Sequence, residues 1–174
     1  MTLVDGSVSR PTSLNRRDFF AAVVADARAN LPPELARFRH RVNPMLLKLD
    51  YGNDRIHFEV WPDGARGRVE IGLHFEDGPA STTAYLAFFD QRIVEIKHLL
   101  GPQIELERWT SSWGHLFESE QLVRLDPRFA ETVARRLAAQ IVVLQPMVDE
   151  AAIPPAQRDY TPGDRGRWRR RAKR

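Results

Sequence analysis

Ile56-His57-Phe58-Glu59-Val60-Trp61, a break at Pro62-Asp63-Gly64, and then Arg68-Val69-Glu70-Ile71-Gly72-Leu73-His74-Phe75-Glu76 form the stretch from which the fold can be read. Apolar and polar residues alternate on both sides of the break. In a strand, successive side chains point to opposite faces. Val69, Ile71, Leu73 and Phe75 therefore share one face, and Arg68, Glu70, Gly72, His74 and Glu76 share the other. Pro-Asp-Gly is turn chemistry. The stretch predicts an antiparallel hairpin with one face turned to a core.

Upstream, Leu46-Leu47-Lys48-Leu49 reads as a further short strand. Before it, Phe19, Phe20, Val23, Val24 and Ala27 recur at helical spacing. Ser13 or Asn15 can cap that first helix. Pro32-Pro33 stops it, and Pro33 can open a short second helix through Glu34, Leu35 and Phe38.

Downstream, Gly78-Pro79 breaks the strand. Leu86, Phe89, Ile93, Ile96 and Leu100 then predict one amphipathic helix over residues 81–100, ended by Gly101-Pro102. Residues 104–109 and 113–122 read as a second hairpin around Ser111-Ser112. Asp126-Pro127 starts the last helix, with Phe129, Val133, Leu137, Ile141 and Leu144 as its buried stripe. Pro146 is expected to kink or end it.

The expectation is an α+β fold of two layers, in the order α-(ββα)-(ββα). An antiparallel sheet of four to five strands has its helices on one face. Residues 13–152 form the domain. Residues 1–12 are read as a flexible leader and 153–174 as a basic, disordered tail.

The chain has 174 residues, enough for one hydrophobic core without disulfide or metal staples. There is no cysteine, which excludes thiolate catalysis and cysteine-bound zinc. The first residues carry no apolar run of signal-peptide length, and no stretch approaches the ~18 apolar residues of a membrane span. A cytoplasmic location without membrane contact is the expectation. Net charge is +3, unevenly placed. From Arg158 onward there are eight basic and two acidic residues, and the remainder holds 18 basic and 21 acidic ones. The body is thus acidic and the end basic. Arginine outnumbers lysine 23 to 3, a bias that phosphate recognition could favour but that GC-rich codon usage explains as well.

Two constellations carry candidate chemistry. Asp63 with Glu95 and Lys97 matches the letters of a PD-(D/E)xK nuclease, which would make a metal-dependent hydrolase. The context opposes it, because Asp63 belongs to a turn and the other two to a helical run. The tripeptide His-Phe-Glu occurs twice, at residues 57–59 and 74–76. Histidine and glutamate two apart on a strand face the same way and could begin a metal site. With the turn centred on Asp63-Gly64, however, His57 lies opposite Glu70 and Glu59 opposite Arg68. His74 is then about 13 Å from that pair at the usual rise per residue. One metal cannot join both histidines in that register, and no metal or cofactor is expected.

The polar face would be solvated and mainly acidic, with His57, Glu59 and Glu70 as candidate binding residues and little to attract nucleic acid. Trp61, Trp109 and Trp113, near strand ends, could line a groove with His115. Elsewhere, Arg165, Arg167, Trp168, Arg169, Arg170 and Arg171 could contact a polyanion. No glycine-rich phosphate loop, nucleophile elbow or His-Glu-x-x-His helix is present, and no catalytic residue is expected.

The run from Leu46-Leu47-Lys48-Leu49 through His57-Phe58-Glu59-Val60-Trp61, Glu70-Ile71-Gly72-Leu73-His74-Phe75 and Gly101-Pro102 to Glu105-Leu106-Glu107-Arg108-Trp109 resembles an uncharacterised bacterial domain family. It is similar in outline to accessory domains found beside restriction-endonuclease-like domains. The resemblance spans about residues 15–150 and implies a recognition or accessory module. The expected function is therefore non-catalytic binding of a small ligand or protein partner. A nucleic-acid-associated role through the arginine tail is the alternative.

Overall fold

A computed structural model describes residues 12–156. Helix α1 (Arg16–Asn30) is followed by a single 3-10 turn (Leu35–Arg37). Four strands come next: β1 (Arg39–Val42), β2 (Leu47–Asp50), β3 (Ile56–Asp63) and β4 (Arg68–Phe75). Helices α2 (Gly78–Asp90) and α3 (Ile93–Leu100) lead to the hairpin β5 (Glu105–Thr110) and β6 (Trp113–Gln121). The chain then enters α4 (Pro127–Ala151).

The six strands form one antiparallel sheet in the order β1-β2-β3-β4-β6-β5. The expected two layers and antiparallel sheet are present, with more strands than the four to five expected. The additional strand is β1, whose Arg39-His40-Arg41-Val42 is wholly exposed. An edge strand with no buried face shows no alternation, so nothing in its letters marks it as a strand. The repeat also differs from α-(ββα)-(ββα). Two hairpins in succession follow α1 before α2 begins, and the predicted 81–100 helix is two helices that meet near Gln91 and Arg92.

Val69, Ile71, Leu73 and Phe75 are fully buried, as their alternation predicts. They share one core with Phe19 and Val23 of α1, Tyr85 and Phe89 of α2, Ile96 of α3 and Leu137 and Ile141 of α4. Burying a side chain of this size stabilises by about 1.5–3 kcal/mol. Asn15 caps α1, its side-chain oxygen accepting from the Asp18 amide at 2.9 Å. Asp126 caps α4, accepting from the Phe129 amide at 2.8 Å.

Pro146 does not end α4, which continues to Ala151. Its missing N–H leaves the Val142 carbonyl without a helical donor, at a residue that is itself exposed, where water can take the donor's place. Beyond the helix, the Ala156 amide donates to Asp77 at 2.9 Å. Among the described residues, no helix is long and apolar enough to cross a membrane.

Candidate functional site

The sheet face opposite the core carries a row of five polar side chains from five adjacent strands. Asp50 of β2 pairs with His57 of β3, His57 with His74 of β4, His74 with His115 of β6, and His115 with Glu107 of β5. Directly opposed Cβ atoms lie about 4.5–5.5 Å apart, so the three imidazoles must pack as rings. His57 and His74 stack with centres 5.6 Å apart and planes 16° from parallel. His115 meets His74 edge-on at 5.0 Å.

Trp109 and Phe117 lie nearly parallel to His115, at 5.2 and 4.1 Å. Trp109 in turn reaches Trp61 at 6.4 Å and Trp113 at 6.0 Å. His57, His74, His115, Glu59 and Glu70 are all buried. The expected solvated acidic face is therefore corrected. Aromatic and imidazole side chains at neighbouring register positions cover one another and the carboxylates between them.

The pairing that assembles the row also corrects the expected register. The hairpin loop is Gly64–Gly67, so Asp63 pairs with Arg68, Trp61 with Glu70, and His57 with His74. Asp63 shapes this loop. Its Oδ1 accepts from the amides of Ala65 and Arg66, at 3.2 and 3.3 Å, and Gly67 takes the left-handed conformation at φ 63°. Pro62 extends β3 rather than turning it. It lies beyond the last β2 partner, so its missing N–H breaks no ladder bond.

Each residue of β3 thereby faces a partner four positions further along β4 than expected. The shift is even, so every side chain keeps its face while changing its neighbour. The 13 Å gap disappears. His57, Glu59, His74 and Glu76 bring one ligand-capable atom each to within 4.8 Å of one another. His57 Nε2 is 3.5 Å from Glu59 Oε2 and 3.7 Å from Glu76 Oε1, and His74 Nδ1 is 3.9 Å from Glu76 Oε1.

Glu76 is anchored just past β4 by its amide, which donates to the Arg55 carbonyl at 2.8 Å. Lys48 of β2 reaches the group from the side, its Nζ 3.5 Å from Glu59 and 3.6 Å from Glu76. Gly72 lies between Glu59 and Phe117 in the register. A Cβ there would overlap the Leu116 carbonyl oxygen, so β4 and β6 approach closely only because this residue is glycine.

The electrostatics follow from burial and neighbours. Burial alone would raise the Glu59 pKa. The adjacent His57, the charge of Lys48 and the ring of His74 outweigh it and hold the carboxyl at about 2. Burial pushes His74 down to about 3, with His57, His115 and Lys48 adding to the effect against the pull of Glu59. His57 is 1% exposed, and neither ring nitrogen makes a hydrogen bond. His115 Nε2 lies 3.3 Å from Glu107 Oε2, while its Nδ1 has no partner.

A cleft of about 590 Å³ adjoins the group, lined by Arg41, Lys48, Asp54, Arg55, Glu76 and Trp113. Of the residues expected to bind, His57 and Glu59 enter the four-residue group. His115, Trp61, Trp109 and Trp113 form its aromatic flank. Glu70 stands apart, paired with Arg68 of its own strand. His74, Glu76 and Lys48 are the members that sequence reasoning left out. The twice-occurring His-Phe-Glu was the available signal, and the turn register hid its meaning.

Asp63 lies at the far end of β3, held by Arg66 at 3.2 Å, and Glu95 and Lys97 lie on α3, which packs against α4. The nuclease letters thus belong to separate elements. Arg165, Arg167, Trp168, Arg169, Arg170 and Arg171 fall outside the described residues. No protein-family model matches the chain and no curated protein matches it, so a functional reading rests on the geometry of this face.

Proposed function

We propose that this protein is a non-catalytic binding module that takes a small ligand or ion on the histidine-bearing sheet face. The site is the His57–His74 end of the row, beside the cleft of Lys48 and Glu76. One observation carries the reading. A fully buried histidine, His57, makes no hydrogen bond at either ring nitrogen, and its Nε2 faces two carboxylates at 3.5 and 3.7 Å. Leaving a buried polar group unmade costs about 1–3 kcal/mol. A ligand that meets those nitrogens recovers the loss.

Ring-selective NMR tests this reading. A library of small polar fragments and ions is titrated against the full chain, and the histidine ring signals are followed. The expected result is at least one probe class that moves His57 and His74 together while His40 and His98 stay still. A library that moves no ring of the row would overturn the assignment.

A second reading rests on the uneven charge alone. The arginines beyond Arg158 would attract a polyanion weakly and without sequence preference, as an accessory contact to nucleic acid.

A further inference from the structure

We propose that the ligand of this face is a divalent transition-metal ion of the zinc class, held by His57, Glu59, His74 and Glu76, and that Lys48 is the built-in occupant it displaces. The inference rests on the binding reading above and names its ligand.

The argument begins with spacing. Ligand atoms on a tetrahedral ion with bonds of about 2.0–2.2 Å stand roughly 3.4 Å apart. The separations of 3.5, 3.7 and 3.9 Å along His57–Glu59, His57–Glu76 and His74–Glu76 lie within half an ångström of that edge. Small side-chain rotations close the remainder, because the whole set already lies within 4.8 Å. Three of the four ligands sit on paired strands, where register fixes their Cα positions.

An independent observation points to a ligand. His57 is buried, and its two ring nitrogens have no hydrogen bond. Its Nδ1 has no partner at all, and its Nε2 faces only the two carboxylates that would share the ion. Two imidazoles with two carboxylates form a mixed nitrogen–oxygen set. That set suits zinc and its neighbours in the first transition row better than magnesium or calcium, which take oxygen.

Charge explains Lys48. The carboxylates of Glu59 and Glu76 bring two negative charges into a largely buried group, and Lys48 supplies one positive charge between them. A divalent ion balances both. Lys48 is 24% exposed and lines the adjoining cleft, so its side chain can swing out as the ion enters. With two histidines and two glutamates the ion's four positions are filled. The site then holds its metal as a binding or structural centre, in keeping with a module that performs no chemistry.

The test uses the full chain without an affinity tag. Zn²⁺ is titrated calorimetrically with Mg²⁺ as the contrast, and Co²⁺ is added for its visible spectrum. The expected result is one Zn²⁺ per chain, no heat with Mg²⁺, and the intense absorption of four-coordinate cobalt. His57→Gln and Glu76→Gln should each weaken Zn²⁺ binding by about 10–100-fold. Lys48→Met should tighten it by at least about tenfold, because a competing positive charge is gone.

His57→Gln lies in the buried row and can lose the fold. Glu76→Gln and Lys48→Met lie at the cleft and keep the test decisive. Absence of stoichiometric Zn²⁺ binding, or binding that neither cleft variant changes, overturns the proposal. If Zn²⁺ fails while a fragment still moves the His57 and His74 rings, the metal falls and the binding reading stands. If neither acts, both fall.

Discussion

Phe75 illustrates how tightly single residues are seated. Its ring is fully buried against Tyr85 at 5.5 Å and Phe89 at 6.0 Å. On its other side a Cβ at Gly114 would overlap the ring, so the partner strand leaves room for it only by having glycine there. Phe75→Ala should cost about 3–5 kcal/mol, since the neighbours on both sides belong to strands and helices that cannot collapse into the gap. Chemical denaturation checks this. A midpoint within error of the parent chain would mean that the ring does not sit in the core. Facing of this kind was legible in the sequence, because alternation at Val69, Ile71, Leu73 and Phe75 depends only on the pleat. The partners of His57 were not legible. They depend on how many residues the loop after Asp63 contains, and two glycines, Gly64 and Gly67, were both available to end it.

Between elements, the most informative contact is a charge inside the core layer. Glu118 of β6 is 1% exposed and faces the helices. Arg136 of α4 donates to both its carboxylate oxygens and to the Leu100 carbonyl, the last at 2.9 Å. Gln140 of α4 and Gln103 after α3 each add a hydrogen bond of 2.9 Å. The network ties the sheet, α4 and the end of α3 at one point. Arg136→Met should destabilise by about 3–5 kcal/mol, because it strands a buried carboxylate. The double variant Arg136→Met with Glu118→Gln should recover part of that loss. Urea unfolding of the three chains checks both statements, and a double variant no more stable than the single one would show that the charge is not the cause. Nothing in the local sequence announces this network. Glu118 stands two residues past Leu116 and so shares its face, but Leu116 and Phe117 are adjacent and both apolar, so only the pairing of β6 with β4 decides which of the two faces meets the helices.

At the scale of the whole molecule, charge separates the acidic body from the basic end. A chain ending at Gln157 and the full chain, titrated with a generic single-stranded oligonucleotide, test the polyanion reading. The full chain should bind weakly at low salt and lose affinity steeply as salt rises, since each neutralised phosphate releases counterions. The shortened chain should bind far less. Equal affinities, or no binding by either, would remove the arginines from this role. By itself the sequence determined the α+β class, the start of the last helix at Asp126, that of the first to within Ser13 or Asn15, and the core face of the central hairpin. These follow from local periodicity and capping, which need no knowledge of distant residues. Only the tertiary structure decided the sheet's edge strand, the split between α2 and α3, the continuation of α4 past Pro146, and the four-residue group at His57. Each of these turns on which residues become neighbours across the sheet or between layers. A register change of an even number of residues alters every such neighbour while leaving the alternation that the sequence displays unchanged.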